Sequence, residues 1–229
     1  MKIKGFQGTS LLDFPGRIAS LVFFGHCNLT CPFCHNPTLV QNPDQYPDYP
    51  LAELLAELKS RSRFIDGVVI SGGEPTLAPG LLPLLREIRV LGLQVKLDTN
   101  GTKPQVLLAL LNKDLIDYIA MDVKAPAEKY DEITRTSVEM DSIRRSIAMI
   151  RNSGIPHEFR LTFAPQLTLE DALETARMVK GCDRFYLQQY RPRNDQDPLA
   201  HAPTEVLKVG EAIAREIGNC TVRGLGPEQ

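Results

Sequence analysis

The sequence predicts an α/β fold on a parallel sheet, and three observations carry that expectation. Six short runs rich in β-branched and aromatic residues alternate with stretches of helical period. No linker interrupts them across 229 residues, and polar residues recur at the carboxyl ends of the runs. Strands are expected at residues 18–24, 67–71, 94–99, 118–124, 158–163 and 184–189. Helices are expected at 51–61, 79–90, 104–111, 140–152, 168–180 and 204–217. Several helices open on start signals. Pro79, Pro104 and Pro203 lie near first turns, where a missing amide hydrogen costs nothing, and Thr168 precedes Glu170 and Asp171 as a cap does. Strand, crossover helix and parallel strand make the βαβ unit, whose crossover is right-handed. Six in a row wind either an open, doubly wound sheet or an incomplete barrel, and the pattern accommodates both.

Composition narrows the setting. With 43% hydrophobic residues and a net charge of -2, the chain is large enough for one sizeable core, and one domain over residues 1–229 is expected. No apolar run approaches the ~20 residues needed to cross a bilayer, so a membrane is not an expected partner. Charges of both signs are scattered rather than clustered, so nucleic acid is not one either. The opening MKIKGFQG lacks a charged-then-apolar signal, and five cysteines are an odd count, so reduced thiols and a cytoplasmic location are expected.

The most informative residues are Cys27, Cys31 and Cys34. A Cys-x3-Cys-x2-Cys run supplies three thiolates, one too few to close a tetrahedral zinc site or to ligate every iron of a four-iron cluster. Zinc would need a fourth ligand from His26, His35, Cys182 or Cys220, and neither distant cysteine belongs to a second paired motif. Those two are expected to pack as small apolar residues. The ligand count favours an iron–sulfur cluster with one open iron.

In parallel α/β architectures, functional loops follow the carboxyl ends of strands. Here the cysteine loop follows the first strand, Ser71-Gly72-Gly73-Glu74-Pro75 the second, and Asp98-Thr99-Asn100-Gly101 closes the third. Asp122 and Lys124 end the fourth, Arg160 lies in the fifth, and Gln188, Gln189 and Tyr190 end the sixth. Each has an ordinary explanation: a tight turn at Gly72-Gly73, a helix cap at Asp98-Thr99, a structural ion pair between Asp122 and Lys124 that Arg160 joins. The set does not, because a core has no use for polar residues at the same end of consecutive strands.

Together these residues resemble the radical S-adenosylmethionine superfamily: three cysteines at this spacing, Phe33 before the last, and a Gly-Gly-Glu after the next strand. The resemblance implies a partial (β/α)6 barrel. Asp13-Phe14-Pro15-Gly16-Arg17, Cys34-His35-Asn36-Pro37, Asp98-Thr99-Asn100-Gly101 and Asp122-Val123-Lys124 extend it to the glycyl-radical-enzyme activases. Within that group the chain is most similar to activating proteins of anaerobic ribonucleoside-triphosphate reductases. It departs at Phe14, where activases commonly have the first glycine of Asp-Gly-Pro-Gly.

The resemblance implies that Cys27, Cys31 and Cys34 hold a [4Fe-4S] cluster whose fourth iron is chelated by the amino and carboxylate groups of S-adenosylmethionine. One electron into the sulfonium then gives methionine and a 5'-deoxyadenosyl radical. It further implies that Gly72, Gly73 and Glu74 receive the methionine amino group and that Phe33 contacts adenine. Asp98, Thr99 and Asp122 would bind the cofactor or a monovalent cation, with Lys124 as counter-ion. Arg160 and Asp13 would lie near the methionine carboxylate or the incoming peptide. The implied partners are a glycyl-radical enzyme as protein substrate and a flavodoxin- or ferredoxin-type electron donor. The alternative is a radical enzyme acting on a small molecule or making another peptide modification. The polar, proline-rich segment 191–203 reads as a plain exposed loop or as a docking lid.

Overall fold

The computed structural model describes residues 2–225. Eight strands form one sheet in chain order: β1 (Ile3–Ser10), β2 (Ala19–Phe24), β3 (Gly67–Gly72), β4 (Gln94–Thr99), β5 (Tyr118–Asp122), β6 (His157–Phe163), β7 (Phe185–Gln189) and β8 (Thr221–Arg223). β1 runs antiparallel to β2, and every later pair is parallel. A doubly wound sheet reverses its strand order at a switch point. This order never reverses, so each crossover advances one strand in the same sense and the sheet curls. With β1 and β8 as its two edges it stays an incomplete barrel, and β2–β7 are the six strands the pattern predicts.

Helices α1 (Pro37–Gln41), α2 (Leu51–Arg61), α3 (Leu81–Val90), α4 (Pro104–Leu111), α5 (Tyr130–Thr134), α6 (Met140–Asn152), α7 (Leu169–Met178) and α8 (Pro203–Ile217) fill the connections. Pro104 and Pro203 occupy first turns, and Thr168 forms a reciprocal capping box with Asp171 at the start of α7. Pro79 lies before α3, which Gly80 caps, so that helix starts at Leu81 rather than 79. β5 ends at Asp122 and α7 at Met178, each two residues short of expectation.

Side chains alternate across each strand and divide the barrel into an outer and an inner face. Val68, Ile70, Val95, Leu97, Ile119, Met121, Phe159 and Leu161 join Leu54, Leu58, Leu84 and Leu85 of the helices in one fully buried core. The inner face has its own small apolar cluster at the amino ends of the strands: Phe14, Ala19, Leu21, Val69 and Tyr118. Phe14 is 4% exposed, its ring 5.9 Å from that of Tyr118, and a Cβ on Gly67 would lie 2.9 Å from Phe14 Cε1. The residue that departs from the activase pattern therefore closes the base of the barrel, and Gly67 leaves it the space.

The site opens at the other end of the strands. Cys182 is buried in the outer core and Cys220 packs against it, as expected of small apolar residues, and all five cysteines are free. Among the described residues no helix is long and apolar enough to cross a membrane.

Truncating the basal plug removes a large buried ring. Phe14→Ala is expected to cost about 3–5 kcal/mol of stability, read as a lower urea midpoint. A loss below about 1 kcal/mol would show that the ring does not seal the base.

Candidate active site

The cysteine loop leaves β2 at Phe24 and crosses directly over the turn that follows β3. Gly73 N–H donates to Phe24 O at 2.7 Å and Glu74 N–H to His26 O at 2.8 Å. This approach explains the two glycines. Gly72 adopts φ 105°, and a Cβ there would strike the Phe24 backbone, while a Cβ on Gly73 would overlap the His26 carbonyl. Their first task is to let two loops share backbone hydrogen bonds. His26 itself takes φ 65°, an unusual conformation for a non-glycine residue that these contacts hold in place. On the far side Thr30 ties the loop to the end of α5, its N–H donating to Thr134 O at 3.1 Å and its hydroxyl to Arg135 O at 3.0 Å. Leu29 and Phe33 anchor the loop in the core.

Glu74 is almost wholly buried, and its carboxylate turns toward the end of β4. It accepts from Thr76 N–H at 3.1 Å, from the Thr76 hydroxyl, from Thr99 Oγ1 at 2.8 Å and from Asn100 N–H at 2.7 Å. Burial raises its pKa, against the pull of these donors. The side chain expected to receive an amino group is thus committed to fastening one loop to the next.

The sheet register places the remaining charges in one inward-facing band: Asp98 opposite Ala120, and Asp122 opposite Arg160. Lys96 Nζ lies 2.6 Å from Asp98, and Ser71 Oγ donates to the same carboxylate at 3.0 Å. Arg160 Nε reaches Asp122 at 2.8 Å and its Nη1 lies 3.6 Å from Asp98, while Lys124 Nζ is 3.1 Å from Asp122 and 5.8 Å from the centre of the Phe33 ring. Burial works against ionised carboxylates here, but Lys96 and Arg160 at Asp98, and Arg160 and Lys124 at Asp122, outweigh it and hold both below the usual range. Burial likewise disfavours the charged form of Lys124 and Arg160, and Asp122 more than compensates in each. The ion pairs suggested as an ordinary explanation do form, and they form on the wall of a cavity.

That cavity holds about 200 Å³ and is lined by Cys27, Cys31 and Cys34 with Phe33, Gly72, Gly73, Glu74, Asp98, Thr99, Asp122, Lys124 and Arg160. His35, Asn36, Asn100, Thr162 and Gln188 complete it. Only Asp13 among the expected residues is absent. It accepts from Ser10 Oγ at 2.5 Å where β1 ends beside Ala19, the first residue of β2, at the opposite end of the strands. That placement sets Asp13 apart from the cavity, whereas the expectation put it near the methionine carboxylate or the incoming peptide. Asn100 was legible only as part of a strand end and Thr162 not at all, because a Thr within a strand carries no chemical signal of its own.

The donor set suits a cluster better than a single ion. Three thiols of one loop line the cavity, the number that a four-iron cluster takes when each thiolate binds a different iron and one iron is left to another ligand. Burial pushes the Cys27 thiol up to about 11 and raises Cys31 as well; a bound metal would displace those protons. The adjoining band of ionised carboxylates and cations suits a zwitterionic amino-acid moiety.

A curled parallel sheet with three loop thiols at its carboxyl rim, beside such a band, defines a class of iron–sulfur enzymes that bind S-adenosylmethionine. The model of the Radical SAM superfamily matches residues 21–179, and the chain belongs to that superfamily, whose members use a [4Fe-4S] cluster and S-adenosylmethionine. A protein of Methanocaldococcus jannaschii assigned as a glycyl-radical enzyme activating enzyme is 31% identical over 96% of this chain and 95% of its own length. The 7-carboxy-7-deazaguanine synthase of Haemophilus influenzae is 32% identical over 51% of this chain and 49% of its own. The structure of Streptococcus suis SuiB bound to S-adenosylmethionine shares the fold, with a TM-score of 0.71 at 17% identity over 89% of this chain and 52% of that one.

Gly73→Ala is expected to lose most of its iron on anaerobic reconstitution although it removes no ligand, because its Cβ displaces the cysteine loop. Full iron content in that variant would contradict the loop contact as the element that sets the site.

Proposed function

We propose that this enzyme activates a glycyl-radical enzyme, with an anaerobic ribonucleotide reductase as the partner and a flavodoxin- or ferredoxin-type protein as electron donor. The observation that carries the reading is likeness to the Methanocaldococcus jannaschii protein along nearly the whole of both chains. When bound, the reduced cluster would supply one-electron reductive cleavage of the S-adenosylmethionine sulfonium, the source of the radical character that a glycine Cα–H would quench.

The chain's own residues do the positioning. Cys27, Cys31 and Cys34 would hold three irons of the cluster, and Gly72, Gly73 and Glu74 line the same cavity. Lys124 and Arg160 offer positive charge to a carboxylate, and Asp98 and Asp122 offer negative charge to an ammonium. Their charges are already met within the protein, so a monovalent cation would compete with Lys124 and Arg160 for them. Phe33 presents a buried ring at the rim. No general base is required, since a hydrogen atom rather than a proton moves.

A protein substrate also fits the openings of the site. A second cavity of about 300 Å³ shares Cys31 and Phe33 with the first and is walled by Arg193, Gln196, Asp197 and Pro198 of the 191–203 segment. This segment is irregular up to α8, is braced by an Arg193–Asp197 ion pair at 3.0 Å, and returns to the barrel where His201 stacks on Phe163. Its position beside the opening supports reading it as a surface that an incoming loop would meet. A second reading, a radical enzyme acting on a small molecule, is favoured by the half-chain likeness to 7-carboxy-7-deazaguanine synthase.

Cys31→Ala is expected to abolish both the brown absorbance of the reconstituted protein and its cleavage of S-adenosylmethionine. With the native enzyme, a reductant and S-adenosylmethionine, a co-expressed anaerobic reductase should show a glycyl-radical doublet by electron paramagnetic resonance. Deoxyadenosine formation without that doublet would favour the small-molecule reading.

A further inference from the structure

Asn100 performs a task that neither the ion pairs nor the glycine loop explains. Its side chain is buried, lies at the end of β4, and touches the cysteine loop. The orientation of the amide is settled by chemistry. The Thr102 backbone N–H, which can only donate, points at Asn100 Oδ1 at 3.0 Å, and the Thr102 hydroxyl donates to the same oxygen at 2.7 Å. The amide nitrogen therefore faces the other way. One of its hydrogens goes to Asn28 Oδ1 at 3.0 Å and the other to Cys27 Sγ at 3.6 Å. Asn28 Nδ2 closes a ring by donating to Thr102 Oγ1 at 2.9 Å. Every donor in this ring runs in one direction, and the bonds that Asn100 Oδ1 accepts polarise the amide N–H that branches from the ring to the sulfur. A second donor, the Leu29 N–H at 3.4 Å, meets the same sulfur.

Resting on the proposal that Cys27 ligates the cluster, we infer that Asn100 is a positioning residue that sets the cluster's reduction potential through its N–H to Cys27. The reduced cluster carries one more negative charge than the oxidised one, shared onto its thiolates. A donor to a thiolate thus stabilises the reduced form more and raises the potential. The Asn100 backbone N–H is held by Glu74, so the ring also links the turn after β3 to the electronic state of the cluster. This assigns the asparagine a role separate from that of its neighbours Asp98 and Thr99.

The test is a potentiometric titration of the reconstituted protein, followed by the paramagnetic resonance of the reduced cluster, with iron and sulfide contents matched and no S-adenosylmethionine present. At the potential where the parent is half reduced, Asn100→Ala should show a reduced-to-oxidised ratio about tenfold lower, equivalent to about 59 mV for one electron. Asn100→Ser, whose hydroxyl can still cap the turn but cannot reach the sulfur, should shift the same way and serves if the alanine variant does not hold iron. An unchanged potential in a fully loaded variant overturns the inference, as does loss of the cluster in both, which would make Asn100 a folding residue. Cys27→Ala separates the two levels: if it keeps a full complement of iron and the same signal, the ligand assignment itself has failed.

Discussion

The close passage of the cysteine loop over the turn after β3 is the constraint on which the site depends. Two backbone hydrogen bonds, from Gly73 to Phe24 and from Glu74 to His26, hold the loop carrying all three thiols. They form only because Gly72 and Gly73 have no Cβ. Glu74 then carries the registration one strand further by capping the end of β4 through Thr99 and Asn100, and Asn100 returns to Cys27. The result is a closed circuit across three consecutive strand ends. A cluster held by three ligands has fewer protein bonds to fix its orientation than one held by four, so rigidity has to come from the scaffold around the thiols.

The inward charges are the second requirement, and they are an expensive one. Burying Asp98, Asp122, Lys124 and Arg160 removes four charges from water, and ion pairs seldom do more than offset that cost. A purely structural barrel would fill this face with aliphatic side chains, as the lower part does with Ala19, Leu21 and Val69. The division along the barrel is therefore informative: an apolar floor at the amino ends, a charged band above it, and thiols at the rim. Arg160 is central to the band because its planar guanidinium reaches Asp122 and Asp98 at once, from a position on β6 directly opposite Asp122.

Much of this was legible because local chemistry and global fold agree. Of the six inner strands, β2, β3 and β5 read as near-continuous apolar runs, whereas β4 and β6 alternate because their inward positions carry the charged band. The edges were not legible. β1 carries two glycines and buries only Ile3, Lys4 and Ser10 at its ends, and β8 is three largely exposed residues, so neither presents the apolar run that marks a core strand. The short helices α1 and α5 fall below the length at which helical periodicity can be seen. At the site, the thiols, glycines and charges announce themselves by type and place. The partners of Glu74 do not, because a carboxylate that caps a neighbouring loop and one that faces a ligand look the same in one dimension.

Phe14 shows how a single departure from a family pattern can be read once the fold is known. A glycine at that position would leave the barrel base without its ring. Here the ring is present, packs against Tyr118, and sits in space left by Gly67. Tyr118 in turn donates its hydroxyl to buried Glu158 at 2.9 Å, and Glu158 lies within 3.8 Å of Arg160. The apolar floor and the charged band are thus mechanically joined through one tyrosine. With the base closed, the second cavity beside Cys31 opens at the rim, next to the thiols. On the proposed reading, a rim bordered by loops on an incomplete barrel would admit a segment of a glycyl-radical enzyme without either partner unfolding.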